Sequence, residues 1–545
     1  MMKRMFLILS LLLFGRFGGW GLPELQFVGT SAGADRTPGD VLVVFKPEEG
    51  VKVTAASVTE GDEALRVASV AASLGARVAA SYGSLSEAGG ASFVRIQSDT
   101  ETDDELIEKF KAQPGVVAVS PNYKVRIAAL PNDTITPSDS NGLWGLNAIK
   151  APEMWDTTTG SDNIYVVVID SGADYNNPDL ADVVDRTYSR NFCTSDPSAW
   201  KDDNGHGTHV SGTIGARGNN GKGVVGVNWK VRIIALKSMG ADGTGYISDI
   251  ISAINYLVEL LKADPSLNIA AVNLSLAAYS KLEPTAANLG QEPFWRALKA
   301  LDRLNRTVIT VAAGNEGLEV GVPAPTDDPS GEGRYSKGDY CFPAAFKGLN
   351  AMISVAALSQ DQDGSLALAN FSNYNADIAA PGAGILSTFL EAQSYTAFQK
   401  EKYNPHQLSD GTTVGTARGT SMASPHVAGA AALLLAANPG LTAYQIRTAL
   451  VEGRAERTVQ TAAKQKGLLN LTTAVNYQQS HTIPRESTEY TEYDRVYDHR
   501  GSSGGGGGSS GGGGGCDALW NAGAAGAGAF LILLALLSNV RRKVR

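Results

Sequence analysis

Three short segments of this chain place a reactive side chain at the edge of a structured run. Val166 to Gly172 (VVVIDSG) closes an apolar, strand-like stretch on Asp170, and α/β proteins build their sites at the carboxyl ends of such strands. Asn204 to Gly212 (NGHGTHVSG) opens a helix on His206. Gly419 to Gly429 (GTSMASPHVAG) opens another helix near Ser421, with Pro425 tolerable in its first turn. A serine hydroxyl is a poor nucleophile at neutral pH. It needs a base within hydrogen-bond reach, and the base needs a partner that fixes its tautomer and stabilises its cation. Ser421, His206 and Asp170 can fill those roles. Gly419 lets a substrate approach the backbone closely, and the helix starting near Ser421 offers its N–H groups and positive dipole end to a developing oxyanion.

The chain has six histidines, so the choice of base rests on position. His209 follows His206 on the same helix, and His426 follows Ser421 on the next; both read as packed, hydrogen-bonded structural residues. His406, His481 and His499 sit in polar surroundings and read as solvated. Asp202 and Asp203 precede a Gly-rich helix start and read as a solvated loop.

The elements that must hold these residues follow from the hydrophobic pattern. From Trp144 to about Val475, continuous apolar runs (Tyr165–Ile169, Val231–Leu236, Ala270–Leu276, Val308–Ala312, Ile353–Ala357) alternate with helical stretches such as Ile247–Leu261, Pro293–Leu304 and Ser424–Ala437. That alternation predicts an α/β unit with a parallel sheet covered on both faces by helices. Before it, strand-like Asp40–Lys46, helical Asp62–Leu74, strand-like Arg77–Tyr82 and Ala91–Gln97, helical Asp103–Lys111 and strand-like Val116–Val125 follow in order. Strand, helix, strand, strand, helix, strand is the ferredoxin-like split βαβ arrangement, a small α+β domain. That fold by itself says nothing about function.

Composition narrows the class. Apolar residues make up 43% of the 545-residue chain and charged residues 19%, enough to bury a core and too apolar for a chain disordered throughout. Lys and Arg total 46 against 55 Asp and Glu, a formal charge of −9, which argues against a broad basic surface for nucleic acid. Three cysteines cannot make a disulfide-stapled scaffold. Cys193 and Cys341 either pair in an oxidising compartment or stay ordinary thiols.

Asp170, His206 and Ser421 in that order, with the segments around them, resemble the subtilisin-like serine proteases from about Trp144 to Val475. The triad and its chain order are well known from subtilisin itself. The resemblance implies a subtilisin-like fold and a serine endopeptidase acting on peptide or protein substrates, with Asp170 orienting the base, His206 as base and Ser421 as nucleophile. It assigns Ala313-Gly314-Asn315-Glu316-Gly317 to the oxyanion region, with the Asn315 amide as a donor. It makes Gly243, Thr244 and Gly245 one edge of the substrate cleft and Ser275, Leu276 and Ala277 the other, with Gly314 beside them. Ala277 and Ala278 stand where family members commonly have glycine, so their methyl groups are expected to narrow the primary specificity pocket. No redox cofactor or nucleotide is needed. A structural calcium with Asp179 and Asn220 as side-chain ligands is implied, in keeping with the preference of that ion for hard oxygens. The small α+β unit resembles the inhibitor-type propeptide of these enzymes, which implies a self-inhibited precursor cleaved between about Arg126 and Asn141. The rival readings are a catalytically silent surface binding module on the same fold, and a dedicated processing enzyme for a few surface proteins.

The two ends carry targeting signals. Met-Met-Lys-Arg followed by apolar Met5–Phe14 is the pattern of a secretory signal peptide, with Arg16 ending the run short of a span. At the other end, Gly501–Gly515 is only Gly and Ser, Cys516 follows, Ala518–Leu537 is small and apolar, and Arg541, Arg542, Lys543 and Arg545 close the chain. A flexible tether, a membrane span and cytoplasmic cations are expected. Together they resemble bacterial C-terminal sorting signals of the glycine-glycine and synergist types, which implies cleavage near Cys516 and transfer to a surface anchor; a plain single-pass anchor is the alternative. The expected organisation is therefore a signal region (1–34), a propeptide domain (39–128), a catalytic domain (140–476), a polar then Gly/Ser-rich tether (477–515) and a Cys, membrane and basic tail (516–545), in an exported protein held at the cell envelope.

Overall fold

The structure, a computed structural model, describes residues 36–48, 51–123, 131–139, 143–391, 395–454, 467–488 and 491–498. The signal region, Cys516, the apolar span and the basic tail lie outside these residues. The chain divides into one unit ending at Asp494 and a second beginning at Arg495.

The first part of the larger unit runs β1 (Arg36–Phe45), α1 (Asp62–Ser73), β2 (Arg77–Ser81), β3 (Ser92–Gln97), α2 (Asp103–Lys111) and β4 (Val116–Tyr123), with two short helices at Ala55–Thr59 and Gly83–Gly89. The sheet order is β2-β3-β1-β4 with antiparallel neighbours, as the ferredoxin-like reading requires. Strand β3 alternates buried and half-buried residues along its length, so Val94 and Ile96 meet Val41, Val43, Phe45, Leu106 and Phe110 in one core. A capping box starts α2: Thr102 Oγ1 accepts from the Glu105 amide at 3.2 Å, and Glu105 accepts from the Thr102 amide at 2.9 Å.

The second part follows with β5 (Gly160–Asp170), β6 (Arg190–Asn191), α3 (His206–Gly215), β7 (Lys230–Lys237), α4 (Ile247–Ala263), β8 (Asn268–Leu274), β9 (Ala278–Ser280), α5 (Pro293–Asp302), β10 (Val308–Ala312), β11 (Tyr340–Phe342), β12 (Met352–Gln360), β13 (Leu366–Leu368), β14 (Ile378–Pro381), β15 (Ile385–Thr388), α6 (Ala397–Tyr403), β16 (His406–Gln407), β17 (Thr413–Ala417), α7 (Thr420–Ala437), α8 (Ala443–Glu452) and α9 (Leu471–Ser480). Strands order as β13-β12-β10-β8-β5-β7-β6, with β14 also on β12. Every pair is parallel except β12–β13 at the edge, so the predicted parallel sheet is in detail a mixed one. Val166 to Ile169 are fully buried in β5, which explains their unbroken apolar run. Helix α7 packs across β5, β8, β10 and β12 and against α3. It is long and apolar enough to cross a membrane, yet it is the core helix of this fold, 83% buried. It starts at Thr420, where the sequence predicts a helix opening near Ser421 and ahead of the helical stretch Ser424–Ala437, so Ser421 lies within its first turn.

The segment after Val475 departs from the expected tether. Helix α9 continues to Ser480. The Arg485 carbonyl then accepts from Asn305 and from Thr442, and the Ile483 carbonyl accepts from Gln445. Asp494 pairs at 2.8 Å with Lys299, whose side chain is only 1% exposed. Ile483 also packs on the core and Tyr493 against Trp295, but the mixed Thr, Glu, Tyr and Arg composition hid this docking because its apolar residues are isolated and carry no period.

Candidate active site

Strand β5 delivers Asp170 and the start of α3 delivers His206. His206 Nδ1 lies 2.8 Å from Asp170 Oδ1 and 2.9 Å from Oδ2, and the carboxylate is fully buried. Its Oδ1 also accepts from the Ser171 amide at 2.7 Å. The approach of α3 depends on Gly205, at φ 105°, where a Cβ would sit 2.4 Å from the Phe389 ring. Asp202, expected in a solvated loop, is instead buried: it accepts from the amides of Asn204, Gly205 and Thr208 and from the Thr208 hydroxyl, capping the helix that carries His206. Asp203 is exposed and pairs with Lys237 at 2.7 Å.

Ser421 Oγ donates to the Ser275 carbonyl at 3.2 Å. Its partner here is that carbonyl and not His206, and catalytic hydrogen bonds of unliganded sites commonly form only once substrate is bound. The Ser275 hydroxyl in turn donates to the Ser421 carbonyl at 2.8 Å. Asn315 Oδ1 accepts from the Thr420 amide at 2.8 Å and from its hydroxyl. With its carbonyl end tied down, the Nδ2 of Asn315 is left to donate beside the Ser421 amide. Gly419, at φ 148°, holds a backbone conformation that only glycine adopts cheaply.

One cleft of about 460 Å³ is lined by His206, Ser421, Asn315 and Gly314 together with Gly243, Thr244, Gly245, Ser275, Leu276 and Ala277. Every expected cleft residue is therefore on its wall. Ala277 is exposed and Ala278 half-buried, and behind them Tyr279 fills space. A Cβ on Gly314 would stand 2.8 Å from the Tyr279 hydroxyl, 2.9 Å from Cys341 Sγ and 2.3 Å from Asn373. Tyr279, Glu316, Arg334 and Lys402 also line the cleft. Of these four the sequence signalled only Glu316, within the oxyanion segment; Tyr279 on β9, Lys402 on α6 and Arg334 in a loop carry no motif.

Cys193 and Cys341 are both free thiols. Cys341 donates to the Ala313 carbonyl, and burial pushes its thiol up to about 12, which makes it inert.

His209 and His426 are the packed histidines expected. His209 Nε2 faces the carbonyls of Ile385 and Gly415, and His426 Nδ1 faces that of Met422. Burial lowers His209 to about 3 and His426 to about 4. Both values lie below the unfolded value of 6.5, so their contribution to stability is present above that pH and is lost as pH falls toward the folded values. Each is expected to cost about 2 kcal/mol between about pH 6.5 and pH 5. Melting temperature followed over that range checks this, and a curve no flatter in His426→Gln would remove His426 from the account.

Asp179 and Asn220 meet, as hydrogen-bond partners. Asp179 Oδ1 accepts from Asn220 Nδ2 at 3.0 Å and Oδ2 from the Val224 amide at 2.8 Å. Asp133 accepts from the Asn219 amide, and Asp410 from the Gly223 amide, each at 2.8 Å. Burial, with the charges of Asp133 and Asp410 adding to it, pushes Asp179 up to about 7 against these hydrogen bonds. Amide N–H groups face the carboxylates where a calcium cage presents carbonyl oxygens, so this donor set, as it stands, does not fit the ion. Excess chelator is expected to leave the melting temperature unchanged; a drop reversed by calcium would reinstate the site.

Comparison with known proteins agrees with this geometry. The model of the subtilase family (peptidase S8) matches residues 161–473. The thermophilic serine proteinase of Bacillus sp. (strain AK1) is 30% identical over 377 residues, 69% of this chain and 76% of that protein. The major intracellular serine protease of Bacillus subtilis (strain 168) is 34% identical over 296 residues, 53% of this chain and 74% of that protein. Among solved structures, fervidolysin from Fervidobacterium pennivorans, a keratinolytic enzyme related to subtilisin, matches with 23% identity and a TM-score of 0.48, covering 83% of this chain and 62% of its own. With the family model matching more than half its length, this chain belongs to the subtilases and is a subtilisin-like serine endopeptidase.

Proposed function

We propose that Ser421, His206 and Asp170 carry out the hydrolysis, and that the enzyme is made as a self-processed precursor and works at the cell envelope. One observation carries the catalytic assignment: a buried carboxylate grips His206 Nδ1 with both oxygens, at 2.8 and 2.9 Å, on the wall of the cleft that also holds Ser421 and Asn315. His206 Nε2 takes the proton as Ser421 Oγ attacks the scissile carbonyl. Asp170 holds the tautomer and stabilises the imidazolium. Asn315 Nδ2 and the Ser421 amide receive the negative charge that develops on the carbonyl oxygen. His206 then gives the proton to the leaving amine, and water releases the acyl group by the reverse sequence. The chemistry uses protein groups alone.

Residues 39–128 are the propeptide in this reading, supported by the ferredoxin-like sheet order and by their place ahead of the catalytic unit. Export and anchoring rest on the apolar, glycine-rich and basic patterns at the two ends.

The test is labelling with a fluorophosphonate probe, comparing the expressed protein with Ser421→Ala and weighing the labelled band. Ser421-dependent labelling of a band without the first ~130 residues is the expected result. Labelling of the full-length form keeps the nucleophile and removes self-processing. A folded, propeptide-free protein that takes no label points to the silent binding module.

A further inference from the structure

The hairpin β15–β17 leads into the segment 389–412, which carries α6. A capping box starts this helix: Thr396 accepts from the Gln399 amide at 3.2 Å and Gln399 accepts from the Thr396 amide at 2.9 Å. The same Gln399 then turns its Nε2 to the carbonyls of Asn204 at 3.0 Å and Asp203 at 3.3 Å. Those carbonyls belong to the loop that delivers His206. Tyr403, at the end of α6, is fully buried against Phe389 and His209. The helix is thus fixed at both ends to the structure around the base.

Lys402 lies between these anchors. Its ammonium lies over the rings of Phe398 and Tyr403, with Nζ 5.1 and 5.4 Å from their centres, and the residue as a whole is exposed. It lines the same cleft as Asn204, His206 and Ser421. Partial desolvation pulls its ammonium below the ordinary lysine value, while the negative charge of Asp170 acts in the opposite direction. The carboxylates around it are engaged elsewhere. Asp203 pairs with Lys237, Asp170 holds His206, and Asp242, next in sequence to Gly243 of the cleft wall, is turned onto Thr244. The other cation of the cleft, Arg334, faces Glu316, Asp328 and Glu332. Among the described residues, Lys402 is therefore the cleft cation without an acidic partner.

We infer that Lys402 is a specificity-determining residue that selects substrates with an acidic side chain next to the scissile bond, at P2 or P1′, the positions flanking P1. An extended peptide between the two cleft edges brings those side chains past His206, and a carboxylate there pairs with a cation already held in place. This inference rests on the proposed roles of Ser421 and His206.

The experiment uses enzyme expressed from the full chain and two sets of fluorogenic peptides, carrying Glu, Gln or Lys at P2 in one and at P1′ in the other. Ser421-dependent cleavage of any peptide secures the triad separately from the preference. At one of the two positions Glu is expected to be favoured over Gln by about two- to fivefold in kcat/KM, the scale of an exposed ion pair, with the ratio falling toward one in high salt. Lys402→Arg is expected to keep the preference, Lys402→Ala to lose it, and Lys402→Glu to turn it toward Lys. A wild-type enzyme indifferent to charge at both positions, or a Glu preference unchanged in Lys402→Ala, overturns the proposal.

Discussion

Replacing Ser421 by alanine is expected to lower turnover of a peptide substrate by about 10⁶, and His206→Ala by about as much; these magnitudes are known from subtilisin. In the proposed mechanism the two act as one device. Without His206 the Ser421 hydroxyl has only the Ser275 carbonyl to donate to, and that oxygen cannot carry its proton away. Without Ser421 the base has no nucleophile to activate. The double variant should therefore be no slower than either single one, leaving the residual rate that the oxyanion groups and the cleft supply. Turnover of the three proteins, purified after melting temperatures have been matched, makes the check. Losses that multiply would mean that Ser421 and His206 work independently, which would sink the triad. The buried hydrogen bonds of Asp202 to Asn204, Gly205 and Thr208, and of the Gly207 amide to Ser171, should hold α3 in place in all three proteins.

Asp170→Asn is expected to cost about 10⁴ in turnover, again a scale known from serine proteases including subtilisin. The local hydrogen bonds say why. Oδ1 accepts from the Ser171 amide at 2.7 Å, so the asparagine carbonyl keeps that position. The amide nitrogen then takes the place of Oδ2, 2.9 Å from His206 Nδ1. Now it donates where the carboxylate accepted. The imidazole answers by moving its proton to Nε2, the atom that must accept from Ser421. The fold is undisturbed and the base is in the wrong tautomer. Turnover measured beside an unchanged melting temperature is the readout, and a loss below tenfold would remove Asp170 from the mechanism.

How far the sequence revealed this depended on whether a residue's role left a local trace. Asp170, His206 and Ser421 sit where apolar runs meet glycine, because a strand end or helix start that exposes a reactive group needs both. Those segments were legible without coordinates. The ferredoxin-like unit was legible too, since its strands alternate and its helices carry a 3.6-residue period. Other features left weaker traces. Asp202 looks like a loop acid because its four hydrogen-bond donors come from the helix start it caps. The docking after α9 runs in part through Arg485 and Asp494, which read as solvent-facing. Helix α6 did leave a signal, Thr396 followed by Gln399 three residues later, the spacing of a capping box. The polar stretch around it outweighed that signal. Lys402 is one more surface lysine until the fold of the segment brings it beside His206.

The burial of α7 sets the manner in which this enzyme fails. Ser421 stands on the first turn of a helix whose residues from Thr420 to Leu435 are almost all buried and which touches five strands of the sheet, β5, β8, β10, β12 and β14. Such a helix exchanges its amide hydrogens only when the whole domain opens, at the high end of the range of local stabilities. The nucleophile therefore has no loosened state of its own. Heat or denaturant is expected to remove activity and tertiary structure together, so that the lifetime of the working enzyme follows the lifetime of its fold.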